Sequence, residues 1–263
     1  MVIKLLFIGD RGVVMKLNNV NLEPTGSKII LSPLGDVHYG LKQCDFKMFK
    51  GYVDWVRKTE DARVILMGDL IDSATKYSRG PQIFEDDINP QEQYEGILEV
   101  LMPIKDKIIG LHSGNHEYGI FRDSGIDISK QMAKELGCPY LGYSCFSKLK
   151  VGKQNYVIYS THGSSGASMP HTKIKRCLDL SASFNADLYL MGHVHAIDAK
   201  VEEFREVDLR NKIIKIRKKM FVLTGHFIDY EGSYGEQKNY RPSKKGAPTI
   251  KLYKDKWDFH SGL

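Results

Sequence analysis

The sequence predicts an α/β fold. Three observations carry that reading. Short apolar runs such as Val64-Ile-Leu-Met67 and Leu188-Tyr-Leu-Met191 have the length of strands buried on both faces. Amphipathic segments with helical spacing stand between them, as at Phe46, Phe49, Tyr52, Val53 and Val56. Glycine then breaks several apolar runs just before a polar side chain, as at Gly68-Asp69. At 263 residues the chain can bury a large core as one domain over 1–263. No internal repeat or linker divides it, so residues 197–263 read as a basic, β-rich final part of that domain.

The elements follow in order. Residues 2–8 and 28–34 are two apolar runs, expected to pair as edge and inner strands. Gly9-Asp10 after the first is an ordinary turn. Residues 45–58 form a helix whose aromatics belong to the core. The strand ending at Asp69 follows, then a loop over residues 73–88 near the site. Asn89 caps the next helix and Pro90 takes its first position, with Tyr94, Ile97, Leu98, Leu101 and Ile104 as the buried stripe. Ile108 to His112 is a strand. Asp127 caps a helix that Gly137 stops. Residues 143–151 and 155–161 read as a hairpin, and Pro170 to Phe184 as a helix with Lys173, Lys175 and Arg176 outward. Residues 199–223 read as a second hairpin, its return strand placing Lys215, Arg217 and Lys219 opposite Ile214, Ile216 and Met220. Thr249 to Tyr253 is the strand of the tail.

Composition excludes some classes. No apolar stretch approaches the roughly 18 residues that span a bilayer, so no membrane partner is expected. Cys44, Cys138, Cys145 and Cys177 lack metal or disulfide spacing and read as the reduced thiols of a cytoplasmic protein. The net charge of +6 is uneven: residues 201–263 hold 14 Lys and Arg against 9 Asp and Glu. That face suits a polyanion, and it is also common solvated surface.

Five apolar runs end in Asp36-x-His38, Gly-Asp69, Gly-Asn115-His116, His162-Gly and Gly-His193-x-His195. An acid and an imidazole two apart at a strand end project to one side and can reach one ion. Each element alone means little; five in this order make a metal centre the natural reading.

The order resembles the calcineurin-like metallophosphoesterases over about residues 30–196. The resemblance implies two mixed β-sheets flanked by helices, a four-layer sandwich with the site at one edge. It implies two divalent metal ions, one held by Asp36, His38, Asp69 and His195 and the other by Asp69, Asn115, His162 and His193, with Asp69 bridging. Such a ligand set suits Mn first, and Fe, Zn or Ni. Two cations ~3.5–4 Å apart need an anionic bridge and make hydroxide available near neutral pH. By the same resemblance His116 stands on the leaving-group side and Asp72 orients it. His171 and His226 are further candidates for substrate contact.

The expected activity is hydrolysis of phosphate esters, most of all phosphodiesters, with DNA cleavage as one form of it. A phosphomonoesterase and a non-catalytic recruitment module are the alternatives. The protein phosphatases of the family carry an Arg after the second acid of G-D-x-x-D, whereas Ser73-Ala74 follows Asp72 here. The stretch from Gly232 through Arg241-Pro-Ser to Pro248-Thr-Ile is similar to small phage and prophage members. The partners expected are the ester, nucleic acid and a second copy of the chain in a homodimer.

Overall fold

A computed structural model describes residues 2–3, 16–75, 86–164, 166 and 169–263. In chain order its strands are β1 (Val2–Ile3), β2 (Lys16–Leu22), β3 (Lys28–Leu34), β4 (Ala62–Leu66), β5 (Ile108–His112), β6 (Tyr140–Gly142) and β7 (Ser144–Val151). There follow β8 (Gln154–Thr161), β9 (Leu188–Met191), β10 (Ile197–Asp208), β11 (Ile213–Thr224), β12 (Thr249–Tyr253) and β13 (Phe259–Gly262). The helices are α1 (Phe46–Lys58), α2 (Pro90–Leu101), α3 (Asn115–Ser124), α4 (Ile128–Glu135), α5 (Pro170–Asp179) and the single turn α6 (Tyr234–Gln237).

Among the described residues the strands form two mixed sheets, one ordered β1-β2-β7-β8-β9-β11-β10 and the other β13-β12-β3-β4-β5-β6. Strands β3, β4, β5 and β6 run parallel. Alternation along β4 explains the layering. Ile65 and Met67 point between the sheets, where they meet Leu31, Leu149, Ile158 and Val222. Val64 and Leu66 point the other way, onto Phe49 and Val56 of α1 and Ile97 and Leu101 of α2. The outer face of the other sheet is covered by α5, with Cys177 packed among Tyr159, Tyr189 and Phe221. The result is the expected sandwich of two sheets between helices. No helix among the described residues is long and apolar enough to cross a membrane.

Local chemistry sets the helix starts. Asp45 caps α1 by accepting from the Met48 N–H, and Asp127 caps α4 through Lys130. Asn89 caps α2 with Pro90 in the first turn, as read from sequence, and Glu92 reaches back to the Asn89 N–H to complete a capping box.

Several expectations fail for physical reasons. Residues 28–34 do not pair with the chain start: β1 pairs with β2, and β3 lies in the other sheet between β12 and β4. Residues 4–8 and the Gly9-Asp10 turn lie outside the described residues. Strand β2 is Asn-rich and was not expected, but Val20 and Leu22 alternate inward and the buried Asn18 amide donates to the Ile109 carbonyl at 2.9 Å. The helix from Pro170 stops at Asp179, followed by a 3-10 turn over Leu180–Ala182. Lys173 is buried rather than outward, which pushes its ammonium down.

The β10–β11 hairpin forms, but only its base is covered. Ile214 and Ile216 are 69% and 59% exposed where Met220 is buried, because β9 reaches only to Met220 of β11. Lys215 and Arg217 there pair with Asp208 and Glu206, so the ribbon is largely self-neutralised.

The layering makes a direct test. Leu66→Ala is expected to lower the unfolding free energy by about 2–5 kcal/mol in urea melts. Ile216→Ala on the exposed ribbon is expected to change it by less than about 0.5 kcal/mol.

Candidate metal centre

Five loops meet at one edge of the sandwich, each following a strand. Asp36 and His38 follow β3, Asp69 and Asp72 follow β4, and Asn115 and His116 follow β5 at the start of α3. His162 follows β8, and His193 and His195 follow β9. Parallel strands deliver their carboxyl ends to the same side, so residues far apart in sequence converge.

Close backbone approach brings them together. Gly68 has φ +88°, and a Cβ there would lie 2.6 Å from the Gly114 nitrogen. A Cβ on Gly114 would lie 2.0 Å from Asp69 Oδ1. Glycine is thus required at both positions by contact, and at Gly68 by its positive φ as well. Asp36, His38, Asp69, Ser73, His193 and His195 all have positive φ, between 46° and 68°, and make up most of the non-glycine residues so placed among the described residues. Backbone of that kind persists where surrounding structure over-determines it, and it clusters at functional sites.

Asp69 is the shared element. Its Oδ1 accepts the His116 backbone N–H at 2.9 Å. Its Oδ2 lies 3.8 Å from His38 Nε2 and 3.2 Å from His162 Nε2, between two groups of donors. On one side His38 Nε2 and His195 Nε2 approach to 3.3 Å, and His195 Nε2 lies 3.4 Å from Asp36 Oδ1. On the other, Asn115 Oδ1 lies 3.0 Å from His162 Nε2 and 2.7 Å from His193 Nδ1. Asp36-His38-His195 and Asp69-His162-His193 each bring ligand atoms within 4.8 Å of one another.

The ring orientations suit ligation. His162 Nδ1–H donates to the Met67 carbonyl at 2.9 Å, which turns Nε2 toward Asp69. Burial lowers the His162 imidazolium, but Asp69 and Asp36 prevail and lift it to about 10, so a cation bound at Nε2 would replace its proton. His38 Nδ1–H donates to Asp72 Oδ1 at 2.9 Å and frees Nε2. The carboxyls add charge. Burial pushes the Asp69 carboxyl up, but His162, His116 and His38 outweigh it and hold the group well below the usual range. Two buried carboxylates among converging imidazoles and one neutral amide oxygen fit divalent cations of the Mn, Fe, Zn and Ni type. Asp36, His38, Asp69 and His162 are buried, whereas Asn115, His116, His193 and His195 face the open side.

His116 is held differently. Its Nδ1–H donates to the Asp72 backbone carbonyl at 2.7 Å, and Asp72 Oδ1 is 3.3 Å away. The Asp72 side chain therefore bonds His38 first and acts on His116 mainly by charge. Burial lowers the His116 imidazolium, but Asp69 and Asp72 prevail and lift it to about 9. His226 is buried, with Nδ1 accepting from the Ile228 N–H and Nε2 donating to Ser243 Oγ. Ser243 in turn donates to the His195 carbonyl at 2.6 Å, and the His226 ring stacks on His195 at 5.3 Å. Burial drives the His226 imidazolium down to about 3. His226 thus faces a candidate ligand with both nitrogens bonded within the chain. His171 is exposed in the first turn of α5, and among the described residues it has no hydrogen bond to the centre.

Sequence reasoning passed over three supports. Glu117 is buried and accepts backbone N–H groups from Asp69 at 3.0 Å, Leu70 at 2.7 Å, Ile71 at 3.4 Å and Gly114 at 3.0 Å. One carboxylate thereby ties the loop after β4 to the loop after β5. Gln93 is fully buried on α2, accepting from Ser73 N–H and donating to Asp86 Oδ2 and the Ile88 carbonyl. Burial and the Asp72 charge push the Asp86 carboxyl up to about 6.

A family model described as calcineurin-like phosphoesterase matches residues 34–196. A search of curated proteins finds no significant match. Among solved structures, a metallophosphoesterase from Sphaerobacter thermophilus is 13% identical, with a TM-score of 0.42, over 89% of this chain and 87% of that one. Wild-type Vps29 from Entamoeba histolytica complexed with zinc is 12% identical, with a TM-score of 0.37, over 89% and 97%. Vacuolar Protein Sorting 29 from Cryptosporidium parvum is 15% identical, with a TM-score of 0.37, over 90% and 98%.

Glu117→Ala strands its N–H donors. It is expected to lower stability by about 3 kcal/mol. It is also expected to weaken metal binding at least ~10-fold, as read by calorimetry with Mn. Unchanged affinity would contradict the tie between the two loops.

Proposed function

The chain belongs to the calcineurin-like phosphoesterase family, and from that premise we propose that it is a two-metal phosphodiesterase, with DNA as the polymer it cuts. Metal-dependent phosphoester chemistry is the coarser statement that the family and the clustered ligands support. The observation that carries the two-metal reading is the position of Asp69 Oδ2 between His38 Nε2 and His162 Nε2. Asp36, His38 and His195 would hold one cation, and Asn115, His162 and His193 the other, with Asp69 shared. Mn is the pair we favour, with Fe, Zn and Ni suited to the same donors. When bound, such a pair supplies a nucleophile near neutral pH and neutralises charge on the phosphoryl group.

The chain's own residues do the rest. Asp72 Oδ1 and the Met67 carbonyl fix the rings of His38 and His162, so their Nε2 atoms stay aimed inward. His116, with Nδ1–H on the Asp72 carbonyl, keeps Nε2 for the departing oxygen, to which it donates a proton. Asp72 raises the readiness of His116 to hold that proton, through its charge at 3.3 Å. We argue the preference for a diester from the groups bonded to the candidate ligands themselves. A monoester brings two negative charges and a diester one. Among the described residues no Lys or Arg is paired with a candidate ligand, and Ser73, where related phosphatases carry Arg, is buried and bonded to the His116 carbonyl.

In this reading the whole chain is one domain, and it works in the cytoplasm, where its cysteines stay reduced. A homodimer would cover the bare apolar side of the β10–β11 ribbon. His171 and His226 remain candidates for positioning substrate, His226 through His195.

Purified, Mn-loaded protein is expected to hydrolyse bis-p-nitrophenyl phosphate and DNA, and to turn over p-nitrophenyl phosphate more slowly. EDTA is expected to abolish the activity and Mn to restore it, whereas Asp69→Asn is expected to lose it for good. Hydrolysis of monoesters alone would defeat the diesterase reading. A full metal complement with no turnover would favour a recruitment module. His116→Ala is expected to cost about 10²–10⁴-fold on DNA. The loss on the p-nitrophenyl ester, whose leaving group needs no proton, is expected to be smaller.

A further inference from the structure

A cavity of about 620 Å³ opens beside the metal centre, and Asn115 and His162 form part of its wall. Its back is aromatic: the rings of Tyr159 and Phe184 stack at 4.1 Å, 11° from parallel. Its mouth is aromatic too. Tyr118 and Tyr143 are 42% and 56% exposed, and their rings meet edge to face at 5.8 Å.

Both tyrosines are positioned by the candidate ligands' own backbone. Tyr118 lies in the first turn of α3, which Asn115 begins. The Tyr143 carbonyl accepts the His162 N–H at 3.3 Å and the Thr161 hydroxyl at 2.9 Å. Arg176 enters from α5 and has no carboxylate partner among the described residues. Asp179, also in the wall, is taken up by Lys175 at 2.8 Å. The cavity therefore offers the exposed rings of Tyr143 and Tyr118, hydroxyls and, among the described residues, one guanidinium without a carboxylate partner. An aliphatic chain would leave those polar groups without partners. A flat, polar, aromatic ring attached to a phosphate would use all of them, since bases of any identity stack on such faces.

We propose that this cavity binds the nucleoside adjoining the scissile phosphate, with its base against Tyr143 and Tyr118 and with Arg176 beside a neighbouring phosphate. The assignment rests on the phosphodiesterase reading and deepens it by locating the subsite for the nucleoside.

The test compares two esters on the Mn-loaded full chain: thymidine 5′-(p-nitrophenyl phosphate), and methyl p-nitrophenyl phosphate, which has no base. Tyr143→Ala and Tyr118→Ala are each expected to lower the ratio of kcat/KM between them by about 10-fold, mainly through KM. Tyr143→Phe, which keeps the ring, is expected to restore the ratio. An unchanged ratio, or equal losses on both esters, would overturn the assignment. Binding of thymidine 5′-monophosphate by calorimetry needs no turnover and is expected to weaken about 10-fold in Tyr143→Ala. Nucleotide binding through Tyr143 in a protein that cleaves neither ester would uphold the cavity and sink the diesterase reading. Cleavage of both esters with a flat ratio would do the reverse.

Discussion

The two oxygens of Asp69 have different duties, and the rest of the site depends on that division. Oδ1 is fixed by the N–H of His116, so Oδ2 has one direction left, toward His38 on one side and His162 on the other. A carboxylate free to rotate could serve either group but would not be held for both. The N–H that fixes it belongs to the residue assigned to the leaving group. One hydrogen bond therefore links the Asp69 carboxylate to the backbone of His116, whose ring is held separately by the Asp72 carbonyl.

Holding this arrangement works against the preferences of the backbone. Asp36, His38, Asp69, His193 and His195 all adopt the left-handed region, where each non-glycine residue is disfavoured by about 1–3 kcal/mol. The layers beneath supply the constraint. β4 is buried on both faces, so the loop at its end has no freedom to relax downward. Glu117 binds that loop from above, and Gly68 and Gly114 allow the neighbouring loop to lie against it. Strain at the edge is offset by packing and hydrogen bonds in the body, a common pattern at functional sites.

The sequence made the centre legible because its chemistry is local. Each strand end carries its own short motif, and the strands are apolar enough to be seen. Asn89 with Pro90, and Asp127 before its helix, were equally plain, since capping acts within one turn. What escaped depends on tertiary context. Strand β2 reads as polar because only Val20, Leu22 and the bonded Asn18 turn inward. Helix α3 was hidden by the motif at its start, where Gly114 stands in the place of a capping side chain. Glu117 offered half a signal, as an acid three residues past a helix start, but its service to the loop after β4 has no mark in sequence. Lys173 followed the outward pattern and is nonetheless buried, and Ile214 and Ile216 followed the inward pattern and are bare, because β9 ends before it can cover them. Periodicity tells which face a residue takes. It does not tell whether anything lies against that face.

Anomalous diffraction from crystals grown with Mn bears on the shared carboxylate most directly. Two peaks are expected, ~3.5–4 Å apart, both touching Asp69 Oδ2, with His38 and His195 on one and His162 and His193 on the other. A single peak, or two peaks of which one makes no contact with Asp69, would contradict the account.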